Sequence, residues 1–144
     1  MAANVCDPVM ISAMITPDAD TPYCRLYIDT NESRGAVQML LDGLTSSRFP
    51  DIQVSAPVFK NHGYDPVGLT SKPYDPIVAS PWTAEIDAEE SSPEAFEKFQ
   101  AGVSAVIRDL RGAGFAVTAS CDFEDRVVIE TGWNWTAENP DPPG

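Results

Sequence analysis

Apolar residues return at spacings of three and four along Phe96, Phe99, Val103, Val106, Ile107 and Leu110, which places them on one face of a helix. The flanks agree with that reading. Ser92 supplies an N-cap oxygen, Pro93 suits the first helical position, and Glu94 and Glu97 sit where the helix dipole favours negative charge. Gly112 and Gly114 offer the left-handed residue that ends such helices. The pattern therefore predicts a core-forming helix over 92–114, packed on a sheet.

A period of two marks the strands. Tyr23–Asp29 alternates, with Cys24, Leu26 and Ile28 on one face and Tyr23, Arg25 and Tyr27 on the other. Thr30 or Asn31 is expected to cap a second helix running to about Leu44, with Ala36, Val37, Leu40, Leu41 and Leu44 inward. Asp51–Phe59 reads as the second strand, with Ile52, Val54 and Ala56 on one face and Pro57 marking an edge or a bulge. Pro81–Asp87 is the third and Phe115–Cys121 the fourth. Arg126–Thr131 is expected to add a fifth. Between them, residues 60–81 are irregular and Pro-rich, with Tyr-Asp-Pro at both 64–66 and 74–76.

Strand–helix–strand occurs twice in this order, the split arrangement of a ferredoxin-like sandwich. The expected class is α+β, with two helices on one face of a mainly antiparallel sheet and an extra C-terminal strand. Taking the first and third strands as parallel would bring Asp29–Glu32 to the same edge as Asp87–Glu90. Residues 1–21, with a short apolar piece at Val9–Ile11, are expected to be a mobile N-terminal segment. Residues 22–135 form a single domain and 136–144 a Pro-rich tail.

Charge changes the picture most. The 22 acidic residues against 9 basic ones give a formal charge of -13. Such a surface repels nucleic-acid phosphates and anionic lipid and attracts a cationic partner, besides favouring solubility. No apolar run approaches the roughly 20 residues that span a bilayer, and the first residues lack the basic start of a signal peptide. Cys6, Cys24 and Cys121 are separated and form no CxxC pair, which argues against a disulfide framework and a zinc site and for a reducing cytoplasm.

Candidate chemistry is sparse. His62 is the single histidine and lies in a turn without a nucleophile motif, and no phosphate-cradling glycine loop is present. Asp122, Glu124 and Asp125 lack the glycine geometry of a calcium loop, so neither a metal nor any other cofactor is expected. Cys121 has no basic neighbour before Arg126, so nothing in the sequence lowers its pKa. What remains is an interface. The acids Asp87, Glu89 and Glu90, continuing through Glu94 and Glu97, and the group Asp122, Glu124 and Asp125 are candidate partner-binding residues. Carboxylates at helix N-termini also have a purely structural reason to be there. Trp133 and Trp135 share a face if extended, and serve either as core packing or as aromatic anchors for a partner.

The Leu-Tyr-Ile-Asp strand, the Glu-Ile-Asp strand and the string Ala-Ser-Cys-Asp-Phe-Glu-Asp after a glycine-ended helix resemble a group of small bacterial proteins. In type, a small acidic α+β chain is similar to the immunity proteins of bacterial toxin systems, which neutralise a toxin domain by binding it. That resemblance implies a non-enzymatic, cytoplasmic inhibitor of a basic protein, monomer or homodimer, acting by electrostatic steering and steric blockade. The other readings are a ligand-binding domain or enzyme with a pocket under the 60–81 loop, using Tyr64, Asp65 or Glu85, and a homodimer formed through a free sheet edge.

Overall fold

The computed structural model describes residues 21–67 and 73–143, so the expectations for residues 1–20 lie outside the described residues. In chain order the elements are β1 (Tyr23–Asp29), α1 (Arg34–Arg48), β2 (Val54–Ser55), β3 (Val58–Lys60), α2 (Pro76–Ala79), β4 (Trp82–Ala88), α3 (Pro93–Gly112), β5 (Ala116–Ser120) and α4 (Glu124–Thr131). The strands form one antiparallel sheet in the order β2-β4-β1-β5, with β3 also pairing β4. β2 and β3 share one register against β4, Val54↔Ala88 and Val58↔Ala84. They are one edge strand interrupted at Pro57, which has no N–H to give. Counted so, the order is second, third, first, fourth, which is the split βαβ topology of an α+β sandwich.

The inward face of β1, made of Cys24, Leu26 and Ile28, packs in a single core with Ile86 of β4, Val37 and Leu41 of α1, and Phe99, Val103, Ile107 and Leu110 of α3. Ser92 caps α3 as its sequence predicts, its Oγ accepting from the Ala95 N–H at 3.0 Å. Gly114 has φ +97° and takes the left-handed position after that helix. Gly102 does something else. A Cβ there would lie 2.8 Å from the Arg48 carbonyl oxygen and overlap the Phe49 ring, so glycine lets the end of α1 rest on α3.

Three expectations need correction. The cap of α1 is Ser33, not Thr30 or Asn31, and the helix runs to Arg48 rather than about Leu44. Thr30 Oγ1 instead accepts the Glu32 N–H at 3.2 Å, holding a turn before the helix. Residues 126–131 belong to α4 rather than to a C-terminal strand. Glu124 and Asp125 favour its N-terminus, Val127 is its buried contact, and Gly132 closes it with φ 93°. Finally, β1 and β4 are antiparallel, with Tyr23 opposite Asp87, so Asp29 lies at the far end from Asp87–Glu90. Asp29 there accepts the Tyr74 O–H at 3.0 Å, and burial raises its pKa.

Both sheet edges are closed by side chains. On the β2/β3 edge, Gln38 Nε2 donates to the Ala56 carbonyl at 3.0 Å and its Oε1 accepts the Val58 N–H at 2.8 Å. On the β5 edge, Asn134 accepts from the Ala119 N–H at 2.8 Å and donates to the Ala119 carbonyl at 3.0 Å, and Arg111 donates to the Val117 carbonyl at 2.8 Å. Each amide takes the place of a further strand. Burial pulls the Arg111 pKa down to about 10, which leaves it charged at neutral pH.

Arg126 ties α4 to α3. Its guanidinium reaches both Glu97 oxygens at 2.9 and 2.8 Å, and its Nε reaches Glu130 at 2.8 Å. The Arg126 hydrogen bonds, with its charge, hold the Glu97 carboxyl below its ordinary value of 4.5. A folded-state pKa below the unfolded one means that this contribution to stability is complete above the unfolded value and is lost as pH falls through the folded one. An acid titration followed by carbonyl chemical shifts should therefore find the Glu97 midpoint depressed, and Arg126→Gln should return it to the ordinary value. An unchanged midpoint in that variant would show that the pairing does not hold in solution.

Candidate functional site

The last residue of β4 delivers the chain to Glu89 and Glu90 and then to the Ser92 cap of α3, while β5 runs out into the turn Cys121–Phe123 before α4. Both connections sit at the same end of the sheet, because β4 and β5 flank β1 and run the same way. Between them opens a cavity of about 940 Å³. Phe96, Phe99 and Gln100 form one wall, the 120–124 turn another, and Thr21–Tyr23 the entry of β1. Phe99 is fully buried and meets Phe123 edge to face at 6.1 Å, so an aromatic surface backs the cavity.

Its polar groups are acidic. Asp87 and Glu89 line it on the β4 side and Asp122 and Glu124 on the other, and among the described residues no Lys, Arg or His lines it. Asp87 accepts the Ser55 hydroxyl at 3.1 Å, and Glu124 accepts the Cys121 N–H at 3.0 Å, which fixes the turn. Glu89 and Asp122 make no hydrogen bond or ion pair among the described residues. A second concavity of about 290 Å³, lined by Gln53, Val54, Ser55, Asp87, Glu89 and Glu90, shares two of those acids. The two concavities thus adjoin at Asp87 and Glu89.

The structure therefore brings together five of the eight residues that the sequence singles out: Asp87, Glu89, Glu90, Asp122 and Glu124. Asp125 is exposed in the first turn of α4 but does not line either concavity. The tryptophans belong elsewhere. Trp133 is 3% exposed, donates its indole N–H to the Asn139 carbonyl at 3.0 Å and lies under the Arg111 guanidinium. That is the core-packing role, one of the two that the sequence allows. Trp135 donates to the Tyr74 carbonyl at 2.7 Å, which fixes it against the 73–80 segment. Their alternation never becomes a strand face, because α4 ends at Gly132 and the chain then follows the β5 edge.

The sequence gives no hint of one neighbouring pair. Cys24 is fully buried on β1, while Cys121 is partly exposed and lines the larger cavity. The Cys24 thiol donates to the Arg25 carbonyl at 3.7 Å. The neighbouring Cys24 thiol holds the Cys121 thiol below its ordinary value, although burial and the charges of Glu124 and Asp122 oppose it. The expectation of an unshifted Cys121 is corrected accordingly: the perturbing group is a cysteine far away in sequence, not a base. Among the described residues no group of three or more His, Cys, Asp or Glu side chains is arranged to hold a metal ion.

The described residues of the 60–81 stretch line neither concavity. Glu85 lies on the opposite face of the sheet, paired with Arg25 at 2.8 Å and with the Tyr23 hydroxyl, and Asp65 accepts the Val67 N–H at 3.0 Å. Among the described residues, no helix is long and apolar enough to cross a membrane. Comparison with protein-family models, with curated proteins and with solved structures gives no match for this chain.

Proposed function

We propose that this chain is a binding protein for a basic protein partner, of the toxin-immunity type, and that the partner engages the acidic groove at the end of the sheet. One observation carries this reading. Two segments distant in sequence place Asp87, Glu89, Asp122 and Glu124 around one aromatic-backed cavity that, among the described residues, holds no cationic side chain. Like charges gathered without counter-charges cost stability and lower the affinity for anions, and a cationic partner relieves both. Phe96, half-exposed on the wall, offers apolar surface to the aliphatic stem of an incoming Lys or Arg.

The carboxylates act chiefly on the encounter. An exposed ion pair contributes at most about 1 kcal/mol, whereas the summed field of a chain carrying -13 accelerates diffusion of a basic surface toward the groove. Contact of that surface with the groove then blocks whatever the partner does with it. The mechanism needs no bond-making step and no cofactor.

The test is capture of the partner from the native host followed by binding kinetics at low and high salt. Glu89→Lys together with Asp122→Lys reverses one charge on each side of the groove, and neither side chain has a hydrogen bond or ion pair among the described residues. Association at low salt should slow by about tenfold, and the gap should close at high salt. Equal rates for variant and parent, or turnover of a small molecule that depends on His62 or Glu85 with no protein partner recovered, would overturn the reading.

A further inference from the structure

The β1–β5 register, Arg25↔Ser120 and Leu26↔Ala119, continued by one place sets Cys24 opposite Cys121. The edge of β5 tells which kind of pair this is. Ala119 turns both its N–H and its carbonyl outward to Asn134, and Val117 turns its carbonyl outward to Arg111. Leu26–Ala119 and Ile28–Val117 are therefore the pairs that exchange no backbone hydrogen bonds. By the alternation of the ladder, Cys24–Cys121 is another, and the Cys121 N–H goes outward to Glu124. Such pairs hold their Cα atoms about 4.5 Å apart, within the roughly 4.4–6.8 Å that a disulfide spans. Cys24 is closed off in the core, and Cys121 is partly exposed and lines the cavity.

We propose that Cys121 and Cys24 form a two-thiol site that reacts with hydrogen peroxide entering the groove, Cys121 as the attacking thiol and Cys24 as the resolving one. In the first step the Cys121 sulfur attacks one peroxide oxygen. An S–O bond forms, the O–O bond breaks, and the departing oxygen leaves as water with the thiol proton, so that sulfur is oxidised by two electrons to a sulfenic acid and the peroxide is reduced. Next the Cys24 sulfur attacks the Cys121 sulfur. The S–S bond forms, the S–O bond breaks, and the hydroxyl leaves as water with the Cys24 proton. Two thiols and one hydrogen peroxide thus yield one disulfide and two waters.

The surroundings fit this division. The facing Cys121 sulfur, with burial, holds the Cys24 proton in place, while the facing Cys24 thiol favours the thiolate at Cys121. Asp87, Glu89, Asp122 and Glu124 repel anionic oxidants such as a carboxylate-bearing disulfide, but exert no such penalty on a neutral peroxide.

The experiment uses the full chain with Cys6→Ala, so that the third thiol does not interfere. After stoichiometric hydrogen peroxide, free-thiol titration should fall by two per chain. Intact mass should fall by two hydrogens, and peptide mapping should show Cys24 joined to Cys121. Cys121→Ser should slow peroxide consumption by about tenfold or more, and Cys24→Ala should leave a sulfenic acid at Cys121 that dimedone captures. Persistence of both thiols, or over-oxidation of Cys121 without the cross-link in the chain that retains Cys24, would overturn the proposal. The cross-link measured in the chain that retains both cysteines does not depend on whether either variant folds.

Discussion

Phe99→Ala is expected to lower the unfolding free energy by about 3–5 kcal/mol. Phe99 has no exposed surface, lies 5.9 Å from the Phe49 ring and 6.1 Å from the Phe123 ring, and stands where α3 passes from the cavity wall into the core. Truncation removes apolar contacts on two sides and leaves a void that neither neighbour fills without moving. Phe49 is held by the end of α1 against Gly102, and Phe123 by the turn that Glu124 closes. Phe96→Ala, one turn earlier and half-exposed, should cost far less. Urea melts of the two variants should separate by more than about 2 kcal/mol at unchanged slope. Equal midpoints would mean that α3 presents a different face to the sheet.

The same helix shows which parts of the fold are legible in sequence. A cap, a proline, a period of 3.6 and a terminal glycine all point to one answer for residues 92–114, so local chemistry and packing agree. At the start of α1 they do not. Thr30, Asn31 and Ser33 can all cap, and the choice falls on Ser33 because a start at Arg34 turns Val37 and Leu41 into the core. The run Arg126-Val-Val-Ile129 is β-branched and reads as a strand, yet only Val127 finds buried surface while Ile129 is 82% exposed. Helix wins there because Arg126 reaches Glu97 and Glu130 and because the neighbouring edge of β5 is already occupied. Gly102 reads as a weak point in a helix, and its clearance role depends on Phe49, which no local pattern reveals.

The candidate site divides in the same way. Each acidic run is visible in the chain as it stands, but that the two runs share a cavity follows from β4 and β5 flanking β1. Assigning parallel direction to the first and third strands would instead send Asp87–Glu90 toward Asp29, which the antiparallel pairing forbids. The thiol pair is less visible still. Two cysteines on separate strands meet only if the register is right to the residue, and a slip of one would turn one of them to the opposite face. The tryptophans leave two roles open in sequence, core or anchor, and only the return of the chain along β5 decides that Trp133 is core.

Asn134→Leu is expected to destabilise the fold by about 2–6 kcal/mol, because it leaves two buried backbone groups without partners at about 1–3 kcal/mol each. Those groups are the Ala119 N–H and carbonyl, which no water reaches while Asn134 is 3% exposed over them. Leucine matches the amide in size, so the loss reports hydrogen bonding rather than a cavity. Asn134→Asp separates the two contacts: the carboxylate still accepts from Ala119 but cannot donate to it, and it adds a buried charge. It should therefore rescue little. A second consequence follows from the place of Asn134 in the sheet. With the amide gone, the outward groups of β5 become a free edge next to Arg111, and a free edge recruits strands. The variant should self-associate in a concentration-dependent way that light scattering on a sizing column detects, while Gln38→Leu should do the same at the opposite edge. If Asn134→Leu melts like the parent chain and shows no added self-association, the edge is closed by something other than that amide.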